Sequence, residues 1–201
     1  MQDQTVDHPL VQSSSRWLKT YYFTRAAVSV GWIALAVTVG KTAPPVAAIL
    51  LIAYPAWDAL ANYLDAQRSG GLRFNLSQTL NLVVSVITAA GVALALALGS
   101  SMNAVIAVFG AWAVLAGLFQ FVTALRRWKF YGAQWVMILS GLQSALAGLF
   151  FFKMASAATP PTILVVAPYA AFGAFYFLVS AVWLTIKDSR TRPEAASARR
   201  H

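Results

Sequence analysis

Two ionisable side chains, Arg25 and Asp58, stand inside otherwise apolar stretches of the chain. Charge in hydrocarbon is costly and normally compensated, so such residues are the first place to look for proton or ion chemistry. If the chain turns back near residues 41–44, positions whose numbers sum to about 85 lie level on the flanking helices, and at ~1.5 Å per residue Arg25 and Asp58 share a depth about 5–10 Å inside the nearer membrane boundary. They are expected to form an ion pair. Three roles are open to them: a lock on the first hairpin, a proton-titrating site at Asp58, or a pair of side chains reaching out to the headgroups.

Asp58 also closes a four-residue pattern, Pro55-Ala56-Trp57-Asp58, that returns as Gly117-Leu118-Phe119-Gln120 and Gly173-Ala174-Phe175-Tyr176. Each copy has a helix-loosening residue, a small or aliphatic one, an aromatic and a polar group. Asp58, Gln120 and Tyr176 thereby hold equivalent positions and are candidates for a polar path along a central axis. The other polar residues of the apolar stretches, among them Ser29, Asn81, Ser85, Thr88, Thr123, Ser140, Gln143, Ser144 and Ser180, read as interhelical hydrogen-bonding glue. Enzymatic chemistry finds little support. The histidines, His8 and His201, lie near the ends, and there is no cysteine, so neither a histidine triad nor a thiolate metal site has its parts. No cofactor, metal or catalytic activity is expected.

The elements that must position these groups follow from composition. With 59% hydrophobic and 10% charged residues over 201 positions, the chain is too apolar for an ordinary water-soluble domain. Six apolar runs of about 20 residues match a hydrocarbon core of about 30 Å. They lie near Tyr21 to Gly40, Val46 to Leu64, Leu80 to Leu98, Ala104 to Leu125, Tyr131 to Phe152 and Ile163 to Ile186. Continuous Ala, Leu and Val without inside-outside alternation makes them helices rather than barrel strands. The polar lead before the first run holds Asp3 and Asp7 and is too long and acidic for a signal n-region, so that run reads as a retained span. The expected fold is all-α: a polytopic membrane protein with six transmembrane helices as three tandem helical hairpins over residues 21–187, flanked by an N-terminal tail (1–20) and a basic tail (188–201).

Of the fifteen Lys and Arg, all but Lys41 and Lys153 fall on the side that carries both termini. By the positive-inside rule that side is cytoplasmic. The net charge of +9 is therefore explained by insertion and by attraction to anionic lipid, and nucleic acid is not an expected partner. Trp17, Tyr21, Tyr22, Trp128, Tyr131, Trp135 and Trp183 gather near the same boundary as an interfacial belt, while Trp32, Trp57 and Trp112 lie deeper. The stretch from Asp188 to His201, rich in Ala, Ser and Arg, reads as a disordered, lipid-facing tail.

Internal similarity extends beyond the four-residue pattern. Val28-Ser29-Val30 returns as Val84-Ser85-Val86, and the segment from Gly117 to Ala124 parallels that from Gly173 to Ser180, which argues for duplicated units about a pseudo-threefold axis. All copies run in one sense, unlike the inverted repeats of many carriers. Gly31, Gly91, Gly110, Gly117, Gly141, Gly148 and Gly173 are expected at helix contacts, because packing in lipid relies on close backbone approach. Such faces also suit self-association into a homo-oligomer.

The segment Ala111-Trp112-Ala113-Val114-Leu115-Ala116-Gly117-Leu118-Phe119-Gln120-Phe121-Val122-Thr123-Ala124-Leu125-Arg126-Arg127-Trp128, followed by Ile138-Leu139-Ser140-Gly141 and Ala147-Gly148, resembles the HdeD-like acid-resistance membrane proteins. The resemblance covers about Tyr21 to Lys187 and implies six spans in the bacterial inner membrane and a link to acid or envelope stress. It supplies no catalytic residues. The first hairpin departs from it, with Pro55 and Asp58 where the other copies have Gly and an uncharged polar group. The function expected from the resemblance is a non-enzymatic contribution to stress tolerance through membrane or partner interaction. The alternative is a small-solute or proton-linked channel or transporter using the repeated polar positions.

Overall fold

The computed structural model describes residues 8–127 and 134–198. Six long helices account for most of them: α1 His8–Leu35, α2 Pro44–Arg68, α3 Leu76–Ala97, α4 Met102–Arg127, α5 Gln134–Ala155 and α6 Ala167–Ala198. Each contains a stretch long and apolar enough to cross a membrane. This is a six-helix polytopic fold.

Local sequence sets the ends of these helices. Pro44 occupies the first turn of α2, where its missing N–H is not needed. Gly70 and Gly71, at φ 99° and 97°, take the left-handed conformations that return the chain from α2 to α3. Buried Asn75 fastens that turn by donating through Nδ2 to the carbonyls of Ser69 and Gly71, both at 2.8 Å. At the other end of the bundle, Asn103 on α4 donates to the carbonyls of Ala155 and Ala157, both at 2.9 Å, and satisfies orphan acceptors at the end of α5.

The connectivity is three tandem hairpins, but the close packing runs between hairpins. α2 lies along α3, α4 along α5 and α1 along α6, while α1 with α2 and α5 with α6 scarcely touch. With α3 also against α4, the six helices close a ring. Away from the termini the ring is filled by a buried core that includes Trp32, Leu51, Ile106, Phe109, Phe151 and Val166. Toward the termini it is not filled.

Small residues explain the tightest pair. Gly110 faces Gly148, and Gly117 faces Gly141, two antiparallel contacts seven residues apart on each helix. A Cβ at Gly117 would sit 2.5 Å from both the Ala145 nitrogen and the Gly141 oxygen. The other glycines expected at contacts are placed differently. A Cβ on Gly31 would meet nothing within 4 Å, one on Gly91 only Val108 at 3.6 Å, and one on Gly173 only the Tyr54 hydroxyl at 3.7 Å. Gly173 is not a packing contact because α6 borders open space there.

The ends of the chain also depart from the sequence reading. The segment expected to be a disordered tail from Asp188 onward continues α6 as far as Ala198. Asp188 accepts a 2.7 Å ion-paired bond from Lys19, which ties that extension to α1. Trp128, Lys129 and Tyr131 lie outside the described residues.

Gly117→Ala is expected to lower stability by about 1–3 kcal/mol through forced separation of α4 and α5. Gly31→Ala should leave the melting temperature in detergent unchanged or slightly raised, since the added methyl meets no neighbour.

Candidate functional site

The unfilled half of the ring is a cavity of about 220 Å³, bordered by all six helices and located toward the end that carries the termini. Its floor is aromatic. Tyr54, Trp112 and Tyr169, one each from α2, α4 and α6, meet in a triangle with centroid separations of 5.7, 6.2 and 5.7 Å. Their edge-on or tilted contacts suit the ring quadrupoles and close the gap between helices that do not otherwise pack. Below them lie Trp32, 5.0 Å from Tyr54, and the pair Phe109 and Phe151. This triangle is the pseudo-threefold relation of the repeat in its plainest form.

Above the floor, Arg25 and Asp58 are ion-paired through Nη2 and Oδ1. The second carboxylate oxygen accepts from Ser85 Oγ at 2.8 Å and Asn62 Nδ2 at 3.0 Å. Ser85 accepts in turn from Trp112 Nε1 at 3.0 Å. On its other side the guanidinium donates to the Tyr21 hydroxyl at 3.0 Å and stacks over Phe177, 4.2 Å from the ring centroid. One carboxylate thus joins α1, α2 and α3 directly and reaches the α4 floor residue through a serine. Such a bond set replaces the hydration a charge loses on burial.

The facing wall is uncharged. Tyr176 donates to Gln143 Oε1 at 2.6 Å. Ser144 donates to the Ala113 carbonyl at 2.9 Å, which leaves Tyr169 as the donor in its 3.1 Å contact with Ser144. The two tyrosine bonds link α5 with α6, where the backbones stand apart.

Asp58, Gln120 and Tyr176 all border this cavity. They do not share one level. Counted from the aromatic triangle, Asp58 is four residues along its helix, Tyr176 seven and Gln120 eight, so at ~1.5 Å per residue they stand about 6, 10 and 12 Å above the floor. The four-residue pattern aligns the repeats about one turn out of register with the triangle. Spacing alone carried the better register: Tyr54, Trp112 and Tyr169 recur at nearly constant separation, each near the middle of an even-numbered span. Of the expected interfacial belt, Tyr21 and Tyr22 border the cavity, whereas Trp135 and Trp183 are exposed on the outside.

Among known proteins, residues 83–153 match a family model described as a short repeat of unknown function (DUF308). The matched stretch runs from α3 to the end of α5 and contains both glycine contacts. No curated protein and no solved structure matches the chain.

Asp58→Leu leaves the Arg25 guanidinium buried without its counter-ion and is expected to cost about 3 kcal/mol. The double replacement Arg25→Met with Asp58→Leu should recover most of that loss. Unfolding in detergent of the single and double variants reads the coupling.

Proposed function

We propose that this chain is an inner-membrane protein that admits a small polar solute to a vestibule open at the cytoplasmic end. The observation that carries the reading is the cavity itself: hydroxyl, amide, carboxylate and guanidinium groups border some 220 Å³ inside a bundle whose outside is largely apolar. A polar space of that size holds several waters or a small solute, since one water needs only about 10–15 Å³ of the same kind of volume. Polar side chains in a membrane bundle gather where a solute passes or binds. The excess of Lys and Arg at the terminal end supports a cytoplasmic mouth and contact with anionic lipid. The aromatic floor and the apolar core beyond it make the vestibule one-ended, as in a receptor or in the inward-open state of a carrier.

A second reading, the HdeD-like role in acid or envelope stress tolerance, rests on the sequence resemblance, while the match over residues 83–153 is to a repeat of unknown function. The two are compatible if the solute or a proton taken into the vestibule is the stress signal. The role is proposed as non-enzymatic, as the sequence reading expects.

The natural lack of cysteine makes the test simple. In right-side-out and inverted vesicles, a Ser140→Cys variant is expected to react with a membrane-impermeant thiol reagent only when the terminal end is accessible. An Ile106→Cys variant, in the packed core, should stay unreactive from both sides. Equal protection of the two cysteines would sink the vestibule reading.

A further inference from the structure

The vestibule wall made by α2 and α3 has an unusual excess of hydrogen-bond acceptors. Asp58, Asn62 and Asp65 follow one another along a single face of α2, and Gln78, Asn81 and Ser85 along the facing side of α3. Two rungs join the faces, Asp58 to Ser85 at 2.8 Å deep in the cavity and Asp65 to Gln78 at 3.2 Å near the mouth. Asn62 and Asn81 are level between them. Three oxygens on this wall are buried with no donor: Asp65 Oδ1, Gln78 Oε1 and Asn81 Oδ1.

Their orientation is set by chemistry. A carboxylate only accepts, so Gln78 must turn its nitrogen toward Asp65, and its carbonyl oxygen is left facing elsewhere. Among the described residues no cation forms a salt bridge with Asp65. Arg68, one turn away, is laid over the Trp17 ring at 4.8 Å, and the salt bridges among the described residues are Lys19 with Asp188 and Arg25 with Asp58. With Arg25 and Asp58 paired, Asp65 is the cavity carboxylate without a salt-bridge partner among the described residues, at the mouth. Tyr21 and Tyr22 border the same space. Three buried donors are also without partners, Trp17 Nε1, Trp57 Nε1 and Arg25 Nε, of which the last two belong to residues lining the cavity, and on α2 Trp57 is two turns deeper than Asp65.

From this juxtaposition we infer that the solute of the vestibule is a small organic ammonium ion, its N–H donors received by Asp65, Gln78 and Asn81. The inference rests on the vestibule reading above and names the class of its occupant. An ammonium carrying up to three N–H donors matches in number the three donorless acceptors on this wall, one of them on a carboxylate. A hard metal cation is a poorer match, because calcium takes six to eight oxygens and magnesium a near-ideal octahedron. The two deeper donors are placed for an oxygen elsewhere in the same molecule. The chemistry is shared by free amines and by the phosphatidylethanolamine headgroup.

The test uses the full chain carrying Ser77→Cys, beside Gln78, in nanodiscs of phosphatidylcholine and phosphatidylglycerol, which have no primary ammonium. A neutral thiol reagent is applied with methylammonium chloride or an equal concentration of sodium chloride. Methylammonium is expected to slow the reaction saturably, and Asp65→Asn or Asn81→Leu to weaken that protection about tenfold. Asp65→Glu should keep most of it. Exchanging phosphatidylcholine for phosphatidylethanolamine separates the sources: protection without added amine identifies the headgroup as occupant, and its absence identifies a free solute. Protection equal with sodium, or unchanged in both Asp65→Asn and Asn81→Leu, would overturn the inference. Loss of reactivity at Ser140→Cys would instead overturn the vestibule reading.

Discussion

The Asp58 carboxylate is held by donors from three helices: the Arg25 guanidinium on α1, the Asn62 amide one turn along α2, and the Ser85 hydroxyl on α3. A charge at that depth in a bundle is tolerated only when such bonds replace its water. The geometry of the surrounding half of the protein follows from meeting that demand. The α1 and α2 backbones stand apart, and the ion pair spans them together with the Trp32 indole, which donates to the Leu50 carbonyl at 2.8 Å. Ser85, completely buried, donates to Asp58 and accepts from Trp112, and so links the carboxylate to a floor residue on α4.

Two kinds of helix contact then divide the work. α4 and α5 meet backbone to backbone through paired glycines, where dispersion over a close interface substitutes for the absent hydrophobic effect. α2 and α3 meet through a polar ladder whose rungs are longer side chains. A ring closed by one tight pair and one polar pair leaves room on its axis, and the aromatic triangle stops that room from running through. The result is a bundle sealed by apolar packing at one end and lined with unsatisfied or lightly satisfied polar groups at the other.

Much of this was legible in the sequence, and the reasons it stops are physical. Long uninterrupted apolar runs fix spans, and antiparallel counting from the first turn puts Arg25 beside Asp58 without further information. Packing across hairpins was not legible, because it depends on which faces of six apolar helices meet, and those faces differ little in composition. Glycine content marked the α4 and α5 contact correctly but could not tell it from Gly31, Gly91 and Gly173, which border lipid-side space, a loose neighbour and the cavity. The acceptor-rich wall was hidden for another reason: Asp65, Gln78 and Asn81 lie near a boundary where polar residues are ordinary, and only the fold turns them toward one another. The helix that continues beyond Asp188 is tied to α1 there by a bond from Lys19, a partner 169 positions away.

The central claim is that water reaches the aromatic floor from the terminal end and goes no further. Radiolytic hydroxyl labelling of the protein in nanodiscs, read residue by residue by mass spectrometry, measures this directly because labelling requires water beside the side chain. The account predicts ready labelling of Trp57 and Tyr176 and detectable labelling of Tyr54, with Phe109 and Phe151 protected. Protection of Trp57 and Tyr176 to the same degree as Phe109 would mean a dry, closed interior and would contradict it.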